Sequence, residues 1–194
     1  MRVISILCLS ALCASGLLLH HPANFSSESN EQKSAAAQVK IQQKQPRVED
    51  VSSIDGMIKA YFEVVSGPAG QPRDWGRDAT LYIPGVRFVM ISKGKNGKTT
   101  AQSMSHQEFV DAGDASMVEK GFYEHEIHRI THRAGDVAHV ISTAEQALTS
   151  NGPSQGRSID SLDLYWDGSR WWIASATIWE VGPGESLPSE FLPK

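Results

Sequence analysis

Cysteine is nearly missing from this 194-residue chain, and the two that occur, Cys8 and Cys13, stand close together near its start. Both fall inside a leader read below as removable, so the mature protein is expected to carry no thiol. That excludes a disulfide framework, a thiolate nucleophile and a thiolate metal site. Basic residues are also in short supply. Lys and Arg total 18 against 22 Asp and Glu, the net charge is -4, and no basic stripe stands out, so nucleic acid is not an expected partner. Missing too are a phosphate-cradling glycine loop, a dinucleotide fingerprint and a Ser-His-Asp order, and no cofactor is expected.

What is present begins with a leader. Met1 and Arg2 supply one positive charge, residues 3–19 form an uncharged and mostly apolar run, and Pro22-Ala23 follow. This is the charged, apolar and small-residue order of a secretory signal. The run is short for a spanning helix and is broken by Ser5, Ser10, Ser15 and Gly16. We therefore expect residues 1–23 to be a signal peptide, cleaved after Ala23 or, alternatively, after Gly16. The product would be secreted or periplasmic, with no stable membrane association. Residues 24–50 are rich in Ser, Gln, Glu and Lys and read as a disordered linker.

The domain is expected over residues 51–181, with an irregular tail at 182–194. Ser52 or Ser53 can cap a helix, with Asp55 in its first turn. Ile54, Met57, Ile58, Tyr61 and Val65 recur at helical spacing, and Ser66-Gly67-Pro68 stops the run. A second helical piece surrounds Asp74-Trp75. A brief strand follows at 79–83, ended by Pro84-Gly85, then another at 86–91 and a polar hairpin at 93–98. Ser105 with Glu108 is a capping-box pattern, which predicts a helix over 106–112. Four long runs rich in β-branched and aromatic residues then occupy 122–132, 137–150, 157–166 and 171–179, separated by turn signals such as Ala134-Gly135-Asp136 and Asp167-Gly168-Ser169. Helices first and a meander afterwards predict an α+β fold, with helices packed on an antiparallel sheet. Asp160, Leu162 and Leu164 should share one strand face; Trp171, Ile173 and Trp179 should share another.

Several segments resemble the nuclear transport factor 2-like (SnoaL-like) superfamily. They are Met57-Ile58-Lys59-Ala60-Tyr61-Phe62, the stretch from Gly76 through Ala79-Thr80 to Tyr82, Gly135-Asp136-Val137-Ala138-His139-Val140, and Arg170-Trp171-Trp172-Ile173-Ala174-Ser175 followed by Trp179. The resemblance implies a cone-shaped, barrel-like fold with a strongly curved sheet and an interior pocket, and often a homodimer through the sheet's outer face. It does not imply one function. Ketosteroid isomerases within that superfamily combine a carboxylate base with a Tyr and a protonated Asp. Tyr61 and Asp160 match the places of the last two, but Ile83 stands where the base is expected, and a hydrocarbon cannot take a proton.

The candidate catalytic residues are thus Asp160 and Tyr61, with His128 or Glu126 in place of the missing base. The ordinary alternatives are a core tyrosine at 61 and, at 160, a carboxylate paired with Arg157 or a backbone amide. In an unbroken strand, Glu124, Glu126, His128 and His132 point one way and His125 and Arg129 the other. Four titratable groups are costly to bury, so the first set is expected to face outward. Trp171, Trp179, Ile83 and Leu162 are expected to line an apolar ligand pocket. His106 reads as a first-turn surface residue. Metal is not expected, because His125-Glu126-Ile127-His128 lacks the zinc-protease spacing. Three functions follow in order of preference: a small-molecule-binding protein with an apolar or aromatic ligand, a lyase or isomerase polarising a carbonyl with Asp160 and Tyr61, and a dimeric interaction module with a filled core.

Overall fold

The apolar spacing of the first helix is realised residue for residue. In the computed structural model, which describes residues 39–94, 96–182 and 184–194, α2 runs Ile54–Val65, after a single turn, α1, at Val48–Val51. Ser53 caps α2 by accepting from the Gly56 amide at 3.0 Å. Met57, Ile58, Ala60, Tyr61, Phe62, Val64 and Val65 are buried. Gly56 is required there, because a Cβ would meet the Glu49 carbonyl of α1 at 2.1 Å. The next turn, α3 at Trp75–Asp78, is capped by Asp74. Its Arg77 grips both carboxylate oxygens of buried Asp50, at 2.8 and 2.7 Å, and so joins α3 to α1.

The expected signal peptide lies outside the described residues, as does most of the linker. The described part of that linker is held against the domain. Ile41 donates to Gln107 Oε1, Gln43 to the Ala79 carbonyl, and the Lys44 amide to the Gly76 carbonyl.

Six strands form one sheet: β1 Arg87–Lys93, β2 Thr99–Ser105, β3 Tyr123–Ala134, β4 Val137–Ala147, β5 Gly156–Trp166 and β6 Trp171–Glu180, in the order β2-β1-β6-β5-β4-β3. The fold is α+β, as the element order predicts, with α2 packed on the sheet. One pair departs from the antiparallel expectation: β1 lies parallel to β6. The β1–β2 hairpin docks on a strand far away in sequence, so no tight turn dictates its direction. The strand expected at 79–83 shrinks to one bridge between Tyr82 and Ile173, because Gly85 (φ 78°) and Pro84 turn the chain away. β2 escaped the sequence reading because it is polar, with only Met104 buried. The helix after it, α4, has the predicted capping box but runs His106–Lys120, well past residue 112; its only buried residue is Val110, so it has almost no apolar stripe to read.

Two irregularities reorient side chains. Between β5 and β6, Asp163 pairs with Ser175 but Leu164 with Ile173, which leaves Ala174 as an extra residue. Trp171, Ile173, Ala176 and Ile178 therefore face the core, and Trp179 lies on the opposite face from Trp171, against expectation. The second irregularity is in β3 and bears on the site. Past β6 the tail returns across the sheet, where Thr143 donates to the Phe191 carbonyl at 2.7 Å.

Arg73 ties the helices together. It is 7% exposed and donates to the carbonyls of Val65 (2.8 Å), Gly67 (2.7 Å) and Met117 (2.8 Å). Removing it leaves several buried carbonyls without donors. Arg73→Met is expected to cost about 3 kcal/mol in urea unfolding, and Arg73→Lys should recover little of this, since an ammonium cannot span the same fork. A loss within experimental error for Arg73→Met would show that the loop is held by other contacts.

Candidate functional site

The pairing of β3 with β4 slips at Ile127. Glu126 lies opposite Ala144, yet His128 lies opposite Thr143. The extra residue inverts the side-chain alternation from that point. Glu124 and Glu126 consequently face the helices together with Arg129, which reaches Asp55 of α2 at 2.6 Å. His128 and His132 point to the other side, His132 opposite His139. The expectation that Glu124, Glu126, His128 and His132 share a face thus fails, as does that of His128 beside Asp160.

Glu126 is also unsuited to moving a proton. It accepts from Arg129 Nε at 2.7 Å and Nη2 at 2.5 Å and from Ser142 Oγ at 2.6 Å, so both oxygens are engaged with strong donors.

Glu124 is different. Its Oε1 accepts from Ser158 Oγ at 3.1 Å and Gln146 Nε2 at 3.2 Å, both neutral donors. Burial pushes its carboxyl up to about 7, and Glu180 adds to the rise, while the two hydrogen bonds oppose it. Next to it Asp160 is 1% exposed. Burial first, then the Glu124 charge, hold the Asp160 carboxyl well above the usual carboxylate range, although Ser158 and Tyr61 favour its ionised form. Asp160 Oδ1 has no hydrogen-bond partner among the described residues. Tyr61 is buried on the same side of the sheet, and burial together with Asp160 raises its hydroxyl's pKa. Tyr61 and Asp160 therefore share one environment, as predicted, and the carboxylate that joins them is Glu124. Sequence parity placed Glu124 on an outward face with His128 and His132, whereas it faces the helices, and could not single it out, because what distinguishes it from Glu126 is the absence of a cationic partner among the described residues.

A cleft of about 430 Å³ opens onto this cluster between α2 (Lys59, Phe62, Glu63) and β3 (Glu124, Glu126, Arg129). Glu124 forms its link to the buried layer. Leu162 (0% exposed) and Trp171 (3%) belong to the core instead, with the Arg133 guanidinium 4.8 Å above the Trp171 ring. Ile83 lines a separate cleft of about 320 Å³ with Tyr82, Pro84, Val86 and His106. His106 is not the surface residue expected. Its Nε2 lies 2.6 Å from Oδ2 of fully buried Asp78, whose Oδ1 accepts from the Tyr82 hydroxyl at 3.0 Å.

No protein-family model and no curated protein matches the chain. Solved structures similar to it include three proteins without an assigned function. An uncharacterised protein with a cystatin-like fold from Caulobacter vibrioides is 17% identical, covering 68% of this chain and 89% of its own, with a TM-score of 0.47. A protein of unknown function with a cystatin-like fold from Nostoc punctiforme is 12% identical over 70% of this chain and 92% of its own, with a TM-score of 0.49. An NTF2-like protein of unknown function from Pseudomonas putida is 14% identical over 66% of this chain and 83% of its own, with a TM-score of 0.48.

The raised carboxyl of Glu124 has a consequence for stability. Its usual value is 4.5, and in the fold it is about 7. The unfolded chain thus gives up this proton first as pH rises, and Glu124's contribution, complete below about 4.5, is lost through about 7. Glu124→Gln should match the wild type at pH 4 and exceed its unfolding free energy at pH 8 by on the order of 3 kcal/mol. Equal differences at both pH values would contradict the assignment.

Proposed function

We propose that this protein binds a small, largely apolar molecule in the cleft between α2 and β3, and that Glu124 exchanges a proton with it. The observation that carries this reading is a carboxyl group poised near neutrality at the cleft, beside a second, buried carboxyl with an unpartnered oxygen. A general base is most effective when its pKa lies near the working pH. Glu124 meets that condition; Glu126, clamped by Arg129, does not. Phe62 and the aliphatic stem of Lys59 offer the apolar surface for the body of the ligand. Asp160, kept neutral by burial and by the Glu124 charge, lies with Tyr61 in the buried layer behind Glu124 and not in the cleft wall, so that Glu124 is the member of the cluster that meets the ligand. The class of reaction is proton transfer next to a carbonyl, as in a lyase or isomerase.

The leader-like segment at 1–23 supports an exported protein, with this chemistry taking place outside the cytoplasm. Ile130, Ile141, Tyr165, Trp172 and Trp179 stand half-buried on the sheet face away from α2, which supports self-association through that face.

Exchange of the α-protons of 2-tetralone with D2O, followed by proton NMR, tests the reading. The protein should accelerate exchange roughly a hundredfold or more over buffer, with a rate that rises through pH 7 as Glu124 ionises. Glu124→Gln should abolish the acceleration, and His128→Ala should leave it intact. Exchange no faster than in buffer, or as fast in Glu124→Gln as in the wild type, would refute it.

A further inference from the structure

We propose that the surface between α3 and the first turn of α4 is a recognition site for an extended peptide segment, that residues 39–44 of the chain itself occupy it as a strap, and that the partner able to take their place is the same segment of a second copy. The segment that fits has an aliphatic residue and, three positions later, a cation.

The site reads backbone. Gln107 stands in the first turn of α4, and its side-chain amide makes two bonds to the strap: Nε2 donates to the Val39 carbonyl at 2.7 Å, and Oε1 accepts from the Ile41 amide at 3.4 Å. In an extended chain, a carbonyl and the amide two residues further on face the same neighbour. One primary amide thus does here what one residue of a parallel strand does in a sheet. Its partners fix which way round it lies. The other Nε2 hydrogen goes to Asp111 Oδ1 at 2.8 Å, so both acceptors meet the nitrogen and the backbone N–H meets the oxygen. Further along, the Lys44 amide donates to the Gly76 carbonyl at 3.2 Å, and Gln43 Nε2 donates to the Ala79 carbonyl at 3.3 Å. Glycine at 76 is what admits the strap, because a Cβ there would run into the Gln42 carbonyl oxygen.

Two side chains add selectivity. Ile41 is half-buried and packs on the hydrophobic core, whereas Val39, Lys40, Gln42, Gln43 and Lys44 are exposed. Lys44 Nζ lies 2.7 Å from Oδ1 of Asp74, the residue that caps α3. That pair is largely exposed, so it selects the sign of charge more than it adds affinity. Main-chain bonds for affinity and a side-chain anchor for specificity are how proteins take up extended peptides.

The strap is separable from the domain. One apolar side chain and a few hydrogen bonds hold it, no helix or strand includes it, and Gln45 and Pro46, which link it to α1, are exposed. Such a segment belongs among those that open locally. Once released, it makes the same contacts on a neighbouring molecule, which is the condition for exchange between copies. Exchange then competes only with the local concentration of the chain's own strap, on the order of millimolar for a short link. A strap that is closed at that concentration binds between molecules with a Kd of roughly a millimolar or tighter.

Two full-length variants test this. Ile41→Asp removes the anchor and empties the site; Gly76→Val blocks the site and frees an intact strap. In Ile41→Asp labelled with nitrogen-15, the Gln107 side-chain amide resonances should leave their wild-type positions. An unlabelled peptide of residues 39–46 should return them saturably, with a Kd of roughly a millimolar or below. Unlabelled Gly76→Val should return them as well, and the peptide with Ile41→Asp should bind at least about tenfold more weakly. Circular dichroism checks folding, and Gln107→Leu, which removes the clamp, replaces Gly76→Val should that chain not fold. Gln107 resonances unmoved by Ile41→Asp, an Ile41→Asp chain that does not fold, no response to the peptide, or a response to the peptide without one to the strap-donating chain would each overturn the proposal.

Discussion

Glu124 and Asp160 both point to the helix side of the sheet and share the Ser158 hydroxyl, Asp160 fully buried and Glu124 half-buried at the cleft, and the fold has to accommodate two carboxyl groups with little water around them. Each would be ionised in the unfolded chain at neutral pH. Burial makes ionisation of either costly, and ionisation of one makes that of the other costlier still. The neighbours moderate this without removing it: Ser158 and Gln146 donate to Glu124, and all are neutral. A cation in their place would have locked Glu124 as Arg129 locks Glu126. Apolar residues of similar size at 124 and 160 would make a more stable sheet. A pair retained at such a cost, with one oxygen of Asp160 left unpartnered, is the strongest indication of chemistry in the molecule.

The device that separates this pair from its charged surroundings is the single extra residue at Ile127. Without it β3 would place His128 and His132 on the same side as Glu124 and Glu126, and the buried face would hold four titratable side chains from one strand. With it, the two glutamates turn inward together with Arg129, which pairs with Glu126, and the histidines go to the opposite face. Bulges commonly re-aim side chains beside functional sites, and here the effect is to isolate one carboxyl that has no cationic partner.

Much of the architecture was legible in the sequence. The 3.6-residue spacing from Ile54 to Val65, the Ser105–Glu108 capping box and the turn residues between the last four strands all reappear where physical reasoning puts them. Period-two parity was right for Asp160, Leu162 and Leu164, because β5 is regular up to Asp163 where they pair with β4. It failed in β3 and β6 for one common reason: a bulge leaves no mark in residue type, yet it inverts every side chain beyond it, as it does for His128 and Trp179. Strand β2 and the second half of α4 were hidden by their polarity. Among site residues, Tyr61 and Asp160 were found by position, whereas Glu124 and the Asp78–His106 pair depend on who their neighbours are, and a sequence separation of 28 gives no sign of the contact between Asp78 and His106.

The direct measurement is the titration of the glutamate side-chain carboxyl carbons by NMR, with Glu124→Gln used to assign the resonance. A midpoint for Glu124 near 7 is the predicted result. A midpoint at or below about 4.5 would mean that water or an unseen cation reaches the group, and that no proton is poised at the cleft.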